Sequence, residues 1–201
     1  MKSIDELRTL VEQELCGIKY PSSPADLYSP VEYILSLGGK RMRPILLLLA
    51  HQLFDEDIQK AIRPSLAIEV FHNFTLLHDD IMDKAPVRRG KATVHTKWNE
   101  NVAILSGDAM LIQSYQYLCD LPSKQLKKCL AVFNEMALKV CEGQQYDMNF
   151  EIQAEVGMES YLKMIEYKTA VLLGASLKMG AIIGGSTAVS YTHLRAHETD
   201  Y

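Results

Sequence analysis

The sequence predicts an all-α protein, on three observations. Apolar residues recur at helical spacing along almost the whole chain of 201 residues. No convincing run of alternating, β-branched residues lies between turn residues as a strand would. Proline and glycine mark the breaks between the periodic segments. A hydrophobic fraction of 48% is enough for one good core, so we expect a single domain.

Seven helices are predicted in order along the chain. They cover residues 3–15, 30–37, 42–54, 64–84, 101–121, 123–150 and 159–183. Pro30 begins the second helix after a proline-containing loop, and Gly38-Gly39 separates the second helix from the third. Pro86 ends the fourth helix, and Pro122 separates the fifth from the sixth.

Charge and cysteine spacing exclude several classes of function. The net charge is −4, and basic residues cluster only at 40–43 and 88–91, which argues against a nucleic-acid surface and favours small anions. The four cysteines lack metal-ligand spacing, so we expect buried, reduced thiols. The opening MKSIDELRTLVEQEL has no unbroken apolar run. We therefore expect neither a signal peptide nor stable membrane insertion, and a cytoplasmic location.

An acidic motif, LLHDDIMD, ends the fourth predicted helix. Asp79 and Asp83 are four residues apart, which places them on one helical face with Cβ atoms about 5–6 Å apart. Such a pair suits Mg²⁺, which prefers one or two carboxylates completed by substrate phosphates. An acidic helix end without metal is the alternative.

Two cationic motifs accompany the acids. Arg88 and Arg89 in PVRRGK are able to grip phosphate oxygens, although an ion-pair network with the carboxylates is equally compatible with the sequence. In GGKRMRP, glycines and cations precede a buried helix, where a backbone can approach an anion; a solvated surface is the alternative. His72 lies seven residues before Asp79, hence on the same face and about 10.5 Å along the axis.

Three segments together resemble the trans-isoprenyl diphosphate synthase family. They are GGKRMRP, FHNFTLLHDDIMDKAPVRRG and Tyr167-Lys168-Thr169, in the order and spacing of that family. The resemblance implies an antiparallel helical bundle of the isoprenoid-synthase type around a central pocket. It also implies a Mg²⁺-dependent enzyme that condenses isopentenyl diphosphate with dimethylallyl, geranyl or farnesyl diphosphate, and a homodimer.

The resemblance assigns roles residue by residue. It implies that isopentenyl diphosphate contacts Lys40, Arg43, His72 and Arg89, and that Mg²⁺ binds Asp79 and Asp83, with Asp80 in the same catalytic motif. It implies that the allylic substrate contacts Arg88, Lys168 and Thr169, of which Lys168 and Thr169 are also counted as catalytic. Gln144 and Asp147 resemble residues of a helix that faces the pocket.

Product length is predicted from Phe74 and Thr75, just before the acidic motif. In this family, large aromatic residues here form a floor for the growing chain. Phe74 lies about 7.5 Å along the helix axis from Asp79, and Thr75 leaves room beside it. We expect a short product of about fifteen to twenty carbons, with twenty slightly favoured. A phenylalanine that simply packs in the core is the alternative.

Three rival functions stay open from the residues. A terpene cyclase also uses such an acidic motif, but it binds no second diphosphate, and GGKRMRP with His72 favours the synthase. A non-catalytic subunit of a heteromeric synthase would often lack the acids that this chain retains. A di-metal carboxylate bundle requires Glu-x-x-His pairs on two helices, and the sequence does not supply two such pairs.

The last residues do not continue the helical pattern. Residues 189–199, VSYTHLRAHET, resemble a translated sequencing adaptor, so we predict a synthase domain at 1–188 and a non-native tail at 189–201. Nothing after Lys168 matches the second aspartate-rich motif of the family. We therefore expect an incomplete bundle that is inactive alone.

Overall fold

The structure is a computed structural model that describes residues 1–186. Its elements are α1 (Ile4–Cys16), α2 (Ala25–Ser36), α3 (Met42–Gln52), α4 (Gln59–Met82), β1 (Val87–Arg88), β2 (Lys91–Ala92), α5 (Val94–Lys97), α6 (Glu100–Leu118), α7 (Ser123–Phe150), α8 (Met158–Ile165), a π-helical turn (Glu166–Ala170) and α9 (Val171–Ile183). The predicted all-α class is confirmed. The predicted tail at 189–201 lies outside the described residues.

Local chemistry explains where α1 begins. The Ser3 side chain accepts a hydrogen bond from the Glu6 backbone N–H, and the Glu6 carboxylate accepts one from the Ser3 backbone N–H. This capping box satisfies two donors that the first turn otherwise leaves unpaired. Leu7, Val11 and Leu15 follow at four-residue spacing and bury one face of the helix.

Two predicted helix starts were wrong for the same reason. Pro30 and Pro64 were taken as first residues, but α2 begins at Ala25 and α4 at Gln59, so each proline is the sixth residue of its helix. Both prolines are buried. A proline this close to a helix start forfeits only a hydrogen bond of the first turns, and the buried face that follows outweighs that loss.

The sequence prediction also missed three short elements. β1 and β2 form an antiparallel hairpin in which Val87 faces Ala92 and Arg88 faces Lys91. The two turn residues, Arg89 and Gly90, both have positive φ, which is the conformation required by the tightest two-residue hairpin turns. The short α5 follows this hairpin. The last predicted helix, at 159–183, is divided into α8, the π-turn and α9.

The chain divides into two compact units. The first unit comprises Lys2–Pro44 and Arg63–Asp120, and the second comprises Ile45–Ile62 and residues 121–186. In the first unit, α2 packs against α5 and α6. Its fully buried side chains include Leu7, Ile34, Ile68, Phe71, Leu77, Met110 and Leu118.

Close backbone approaches organise the second unit, in which α7 packs against α8, the π-turn and α9. A Cβ atom on Gly180 would lie 2.1 Å from the Leu47 carbonyl oxygen, so only glycine lets α9 approach α3 this closely. A Cβ atom on Gly143 would lie 2.3 Å from the Lys168 backbone nitrogen, so α7 and the π-turn are in similarly close contact.

The cysteines correct one expectation. All four are free thiols, but only Cys129 is buried, whereas Cys16, Cys119 and Cys141 are exposed. Burial raises the pKa of the Cys129 thiol to about 12. Among residues 1–186, no helix is long and apolar enough to cross a membrane.

Candidate functional site

The three acids at the end of α4 have different surroundings. Asp80 is 3% exposed, and both of its carboxylate oxygens accept hydrogen bonds from Nε of Arg88, at 2.9 and 2.8 Å. Nη2 of Arg88 lies 2.7 Å from Oδ1 of Asp80. Asp79 is half-buried and Asp83 is exposed. The middle acid of the motif therefore holds an arginine, while Asp83 at the end of the motif faces solvent.

This ion pair bears on the alternative left open by the sequence. The hydrogen bond to Asp80, reinforced by the charges of Asp80, Asp79 and Asp83, raises the pKa of Arg88 despite partial burial. The carboxylate–arginine network is therefore real for Asp80 and Arg88. Because both Asp80 oxygens are engaged by Arg88, Asp80 is poorly suited to hold a metal in this arrangement.

The donor set fits Mg²⁺ bound together with a substrate. Within residues 1–186, no group of three His, Cys, Asp or Glu side chains converges to hold a metal by protein ligands alone. Mg²⁺ commonly binds through one or two carboxylates and completes its octahedral shell with water and phosphate oxygens. Asp79 and Asp83, joined by a helical-turn hydrogen bond from the Asp83 N–H to the Asp79 carbonyl oxygen, would supply such a partial shell.

A cationic cluster lies further back on α4, around His72. Nη1 of Arg43 lies 2.9 Å from Nε2 of His72. Burial, followed by the charges of Arg43, Arg89, Arg88 and Arg41, lowers the pKa of His72 to about 3. The imidazole is therefore neutral at neutral pH, and its Nε2 accepts the hydrogen bond that the guanidinium donates.

Arg43 itself has unused donor capacity. Burial is the main cause that lowers its pKa, and the nearby charge of Arg89 lowers it further. Within the described part of the chain, its buried Nε has no hydrogen-bond partner. A buried guanidinium nitrogen without an acceptor is costly, and an anion that supplies oxygens would relieve that cost.

Gly39 and Arg89 bring the two cationic motifs together. Gly39 has φ of +154°, and a Cβ atom built on it would lie 3.0 Å from Nη1 and 3.2 Å from Cζ of Arg89. Glycine at this position therefore lets the Arg89 guanidinium lie against the loop backbone. Lys40, the next residue, is exposed. The structure thus brings together Arg43, His72 and Arg89 and leaves Lys40 at the surface beside them.

The predicted chain-length residues lie on the same helix. The Phe74 ring is half-buried, 5.6 Å from the Phe71 ring and 4.7 Å from the His78 ring, between ring centroids. His78 lies 3.1 Å, through Nε2, from the carbonyl oxygen of Ile104 on α6. Thr75 donates its hydroxyl to the His72 carbonyl oxygen. His78 therefore packs against Phe74 and contacts α6 on its other side.

The predicted residues of the second unit form a separate group. Lys168 lies in the π-turn and forms an ion pair with Asp147 of α7. Thr169 is exposed, and Gln144 is buried with both amide atoms unpartnered among residues 1–186. Such π-turns occur frequently at functional sites. This turn was not predicted, because EYKTA fits an ordinary helix.

A mainly helical fold in which one helix ends in acids and carries His72, with Arg43 and Arg89 around it, defines a class of helical proteins with an acidic and a cationic site. Comparison with known proteins identifies the family. The sequence profile of the polyprenyl synthetase family matches residues 24–198. The chain belongs to the polyprenyl synthetase family.

Individual relatives agree with this assignment. The chain is 40% identical over 192 residues to a geranylgeranyl diphosphate synthase of Methanosarcina mazei, covering 93% of this chain and 59% of that protein. It is 37% identical over 148 residues to a (2E,6E)-farnesyl diphosphate synthase of Mycobacterium bovis, covering 74% of this chain and 41% of that protein. The chain therefore spans less than two thirds of the length of these relatives.

The fold agrees as well. A crystal structure of a geranylgeranyl pyrophosphate synthase matches with a TM-score of 0.94 and 47% identity, covering 98% of this chain and 60% of that one. This likeness supports the isoprenyl-synthase type of helical fold that the sequence predicted.

Proposed function

We propose that the protein takes part in prenyl transfer, in which isopentenyl diphosphate is condensed with an allylic diphosphate to give a longer trans-prenyl diphosphate. The observation that carries the proposal is the position of Arg43 and Arg89 around His72, which belongs to α4, the helix whose end carries Asp79 and is followed by Asp83. One site built from cations and a second built from carboxylates provide for two different diphosphates. An enzyme with only one diphosphate substrate would not need the cationic site.

The residues divide the chemistry between two places. Lys40, Arg43, His72 and Arg89 bind the diphosphate of isopentenyl diphosphate through charge-assisted hydrogen bonds and hold its double bond in position. Asp79 and Asp83 would hold Mg²⁺, which would supply positive charge to the departing diphosphate of the allylic substrate. Arg88, fixed by Asp80, adds a cation to the same leaving group.

Lys168 and Thr169 are proposed as further contacts of the allylic diphosphate, on the family resemblance. Asp147 supports this role for Lys168, because its carboxylate keeps the ammonium group in one place before a diphosphate arrives. Dimethylallyl, geranyl and farnesyl diphosphate are the candidate allylic substrates. The relatives' geranylgeranyl and farnesyl names support a short product. We also propose a cytoplasmic location.

A second copy of the chain is the proposed partner. Helix α6 carries Ile104, Leu105 and Ile112, large apolar side chains that are 44%, 59% and 60% exposed. Leu105 and Ile112 are seven residues apart and therefore share one helical face. Such a face is suited to pairing with its own copy across a two-fold axis. Sedimentation equilibrium should show a dimer, and Ile112→Glu should shift it toward monomer.

The proposal is tested in a chimeric enzyme. In it, residues 1–186 replace the matching segment of the Methanosarcina mazei geranylgeranyl diphosphate synthase, which supplies the rest of that protein's length. We expect labelled isopentenyl diphosphate to enter a longer prenyl diphosphate when Mg²⁺ and an allylic diphosphate are both present. Consumption of the allylic diphosphate without incorporation of label would instead indicate a cyclase and contradict the proposal.

A further inference from the structure

Arg41 differs from the other cations of GGKRMRP because its side chain is buried. It is 3% exposed, whereas Lys40 before it and Met42 after it are exposed. Its φ of +50° lies in the left-handed region, which residues with a Cβ atom rarely adopt. A conformation of this kind persists only where surrounding contacts impose it.

Those contacts come from three helices of the first unit. Nη1 of Arg41 donates to Oε1 of Glu69 on α4 at 2.6 Å, and Nε donates to Oε1 of Glu12 on α1 at 2.8 Å. Nη2 donates to the Leu35 carbonyl oxygen on α2 at 2.8 Å. Burial alone would lower the pKa of Arg41, but the two carboxylates outweigh it and raise that pKa.

Arg41 and its partner Glu69 are each close in sequence to a residue of the cationic cluster. Glu69 is three residues before His72 on α4, and Arg41 is two residues before Arg43 at the start of α3. Asn73, beside His72, donates its Nδ2 to Oε1 and to the backbone oxygen of Glu69. The Arg41–Glu69 pair therefore fixes the start of α3 against the part of α4 that carries His72.

We propose that Arg41 is a positioning residue of the isopentenyl diphosphate site, held by Glu69 and Glu12 so that Arg43 stays against His72. This inference rests on the proposed function, since it concerns the same site. Arg41 itself does not contact the diphosphate; its three engaged nitrogens are used for anchoring. Its effect on binding passes through the position of Arg43 and of the loop backbone under Arg89.

Electrostatics and positioning make opposite predictions for Glu12. The carboxylate of Glu12 is a negative charge close enough to the cluster to act on the pKa of Arg89. Removing that charge makes the site more positive, so the field alone predicts tighter binding of an anion. Loosening the anchor of Arg41 predicts weaker binding. The sign of the change therefore separates a positioning role from a charge effect.

The test is calorimetric titration of the 201-residue chain with inorganic diphosphate in the absence of Mg²⁺. We expect Glu12→Gln to weaken the affinity by about twofold to tenfold, the scale of one hydrogen bond. Arg41→Lys, which keeps the charge but loses the planar fork, should weaken it by at least as much. Glu14→Gln is the matched control, because it makes the same charge change at an exposed position of α1, and it should leave the affinity within twofold.

Unchanged or tighter binding in Glu12→Gln would overturn the inference, as would wild-type affinity in a folded Arg41→Lys. A purely structural role would lower the melting temperature of both variants without changing the affinity measured well below it. Arg43→Gln distinguishes a failure of the proposed diphosphate site from a failure of the inference about Arg41. If Arg43→Gln binds as wild type does, the proposed site fails and the inference fails with it. If only Arg43→Gln is weakened, the inference alone fails.

Discussion

The GGKRMRP loop and the PVRRG hairpin each present consecutive cations, and in each run the structure uses neighbouring residues differently. In the loop, Arg41 is buried against two carboxylates while Arg43 meets His72. In the hairpin, Arg88 is bound to Asp80 while Arg89 lies against Gly39. Arg41 and Arg89 both have φ near +50°. A left-handed residue turns successive side chains in different directions, so one member of each pair anchors the motif and the other is the one that we propose binds diphosphate.

The acidic motif shows the same division. Asp80 holds Arg88, whereas Asp79 and Asp83 are the acids proposed to bind metal. Two carboxylates adjacent in sequence point to different sides of a helix, so this division follows from helix geometry. A run of like charges in this chain therefore contains residues engaged in structural ion pairs and residues that we propose bind metal or substrate. The predictions below test that distinction.

The largest effect is expected at the proposed metal ligands. Asp79→Asn or Asp83→Asn in the chimeric enzyme should lower turnover by about 10²–10³ or more, because charge stabilisation of the leaving diphosphate is lost. Steady-state kinetics at saturating Mg²⁺ would measure this loss, with circular dichroism as the check on folding. Turnover close to wild type in either variant would contradict the proposal that Asp79 and Asp83 bind metal.

The two arginines of the loop should differ most clearly in stability. Arg41→Ala leaves the buried Glu69 carboxylate without its partner, so we expect the free energy of unfolding to fall by about 3–5 kcal/mol. Arg43→Ala removes a cation from a cationic cluster and should change stability by less than about 1 kcal/mol. Urea denaturation of both variants at pH 7 makes the comparison. Equal losses would remove the distinction between anchor and binding residue.

Loss of Arg43 should affect the binding of the two substrates differently. Arg43→Ala in the chimeric enzyme should raise the apparent KM for isopentenyl diphosphate by about tenfold to a hundredfold, the scale of a lost hydrogen bond to a charged group. The KM for the allylic substrate should change much less. Substrate-saturation curves for each partner provide the measurement. Similar increases for both substrates would show that the two diphosphates share one site.

His72 gives the cluster a pH dependence with a defined sign. Its pKa in the folded chain, about 3, lies below its ordinary value of 6.5, so the unfolded chain takes up the proton more readily. The stability that neutral His72 contributes is therefore complete above pH 6.5 and is lost as the pH falls toward 3. Unfolding by urea at pH 7 and pH 5 should show a smaller loss in His72→Gln than in wild type. An identical loss would mean that His72 titrates normally.

The smallest effect is expected at the proposed floor of the product pocket. Phe74→Ala in the chimeric enzyme should shift the product spectrum to longer chains with turnover largely kept. Chromatography of the dephosphorylated products would show the shift. Phe54, a partly exposed phenylalanine of the second unit, provides the control. Phe54→Ala should leave the product spectrum unchanged. No shift with Phe74→Ala would mean that this ring only packs against Phe71 and His78.

Local sequence patterns predicted most of the helices and the clustering of charge. Ser3 and Glu6 mark the start of α1 because a capping box needs only neighbouring residues. The hairpin was missed because its strands are two residues long, although Arg89-Gly90 occupies its turn. The π-turn was missed because its residues fit an ordinary helix and because its close contact with α7 at Gly143 joins residues far apart in sequence.

Individual roles within the charged motifs were less predictable. Arg41 and Arg43 look alike in GGKRMRP, and what separates them is Glu69, a partner 28 residues away. The available signal was Glu69, a single acid in the apolar run before His72. It is informative only when the chain is searched for a cationic partner of that acid. Asp80 is separated from its neighbours in the same way, by Arg88 on the following hairpin.

The central claim, that the chain provides one cationic and one carboxylate diphosphate site, is tested most directly by calorimetry on the chimeric enzyme with and without a chelator. We predict that isopentenyl diphosphate still binds when Mg²⁺ is removed, since cations alone form its site. A non-reactive allylic diphosphate analogue should lose most of its affinity, because its site depends on Asp79 and Asp83. Loss of both affinities on chelation, or retention of both, would contradict the account.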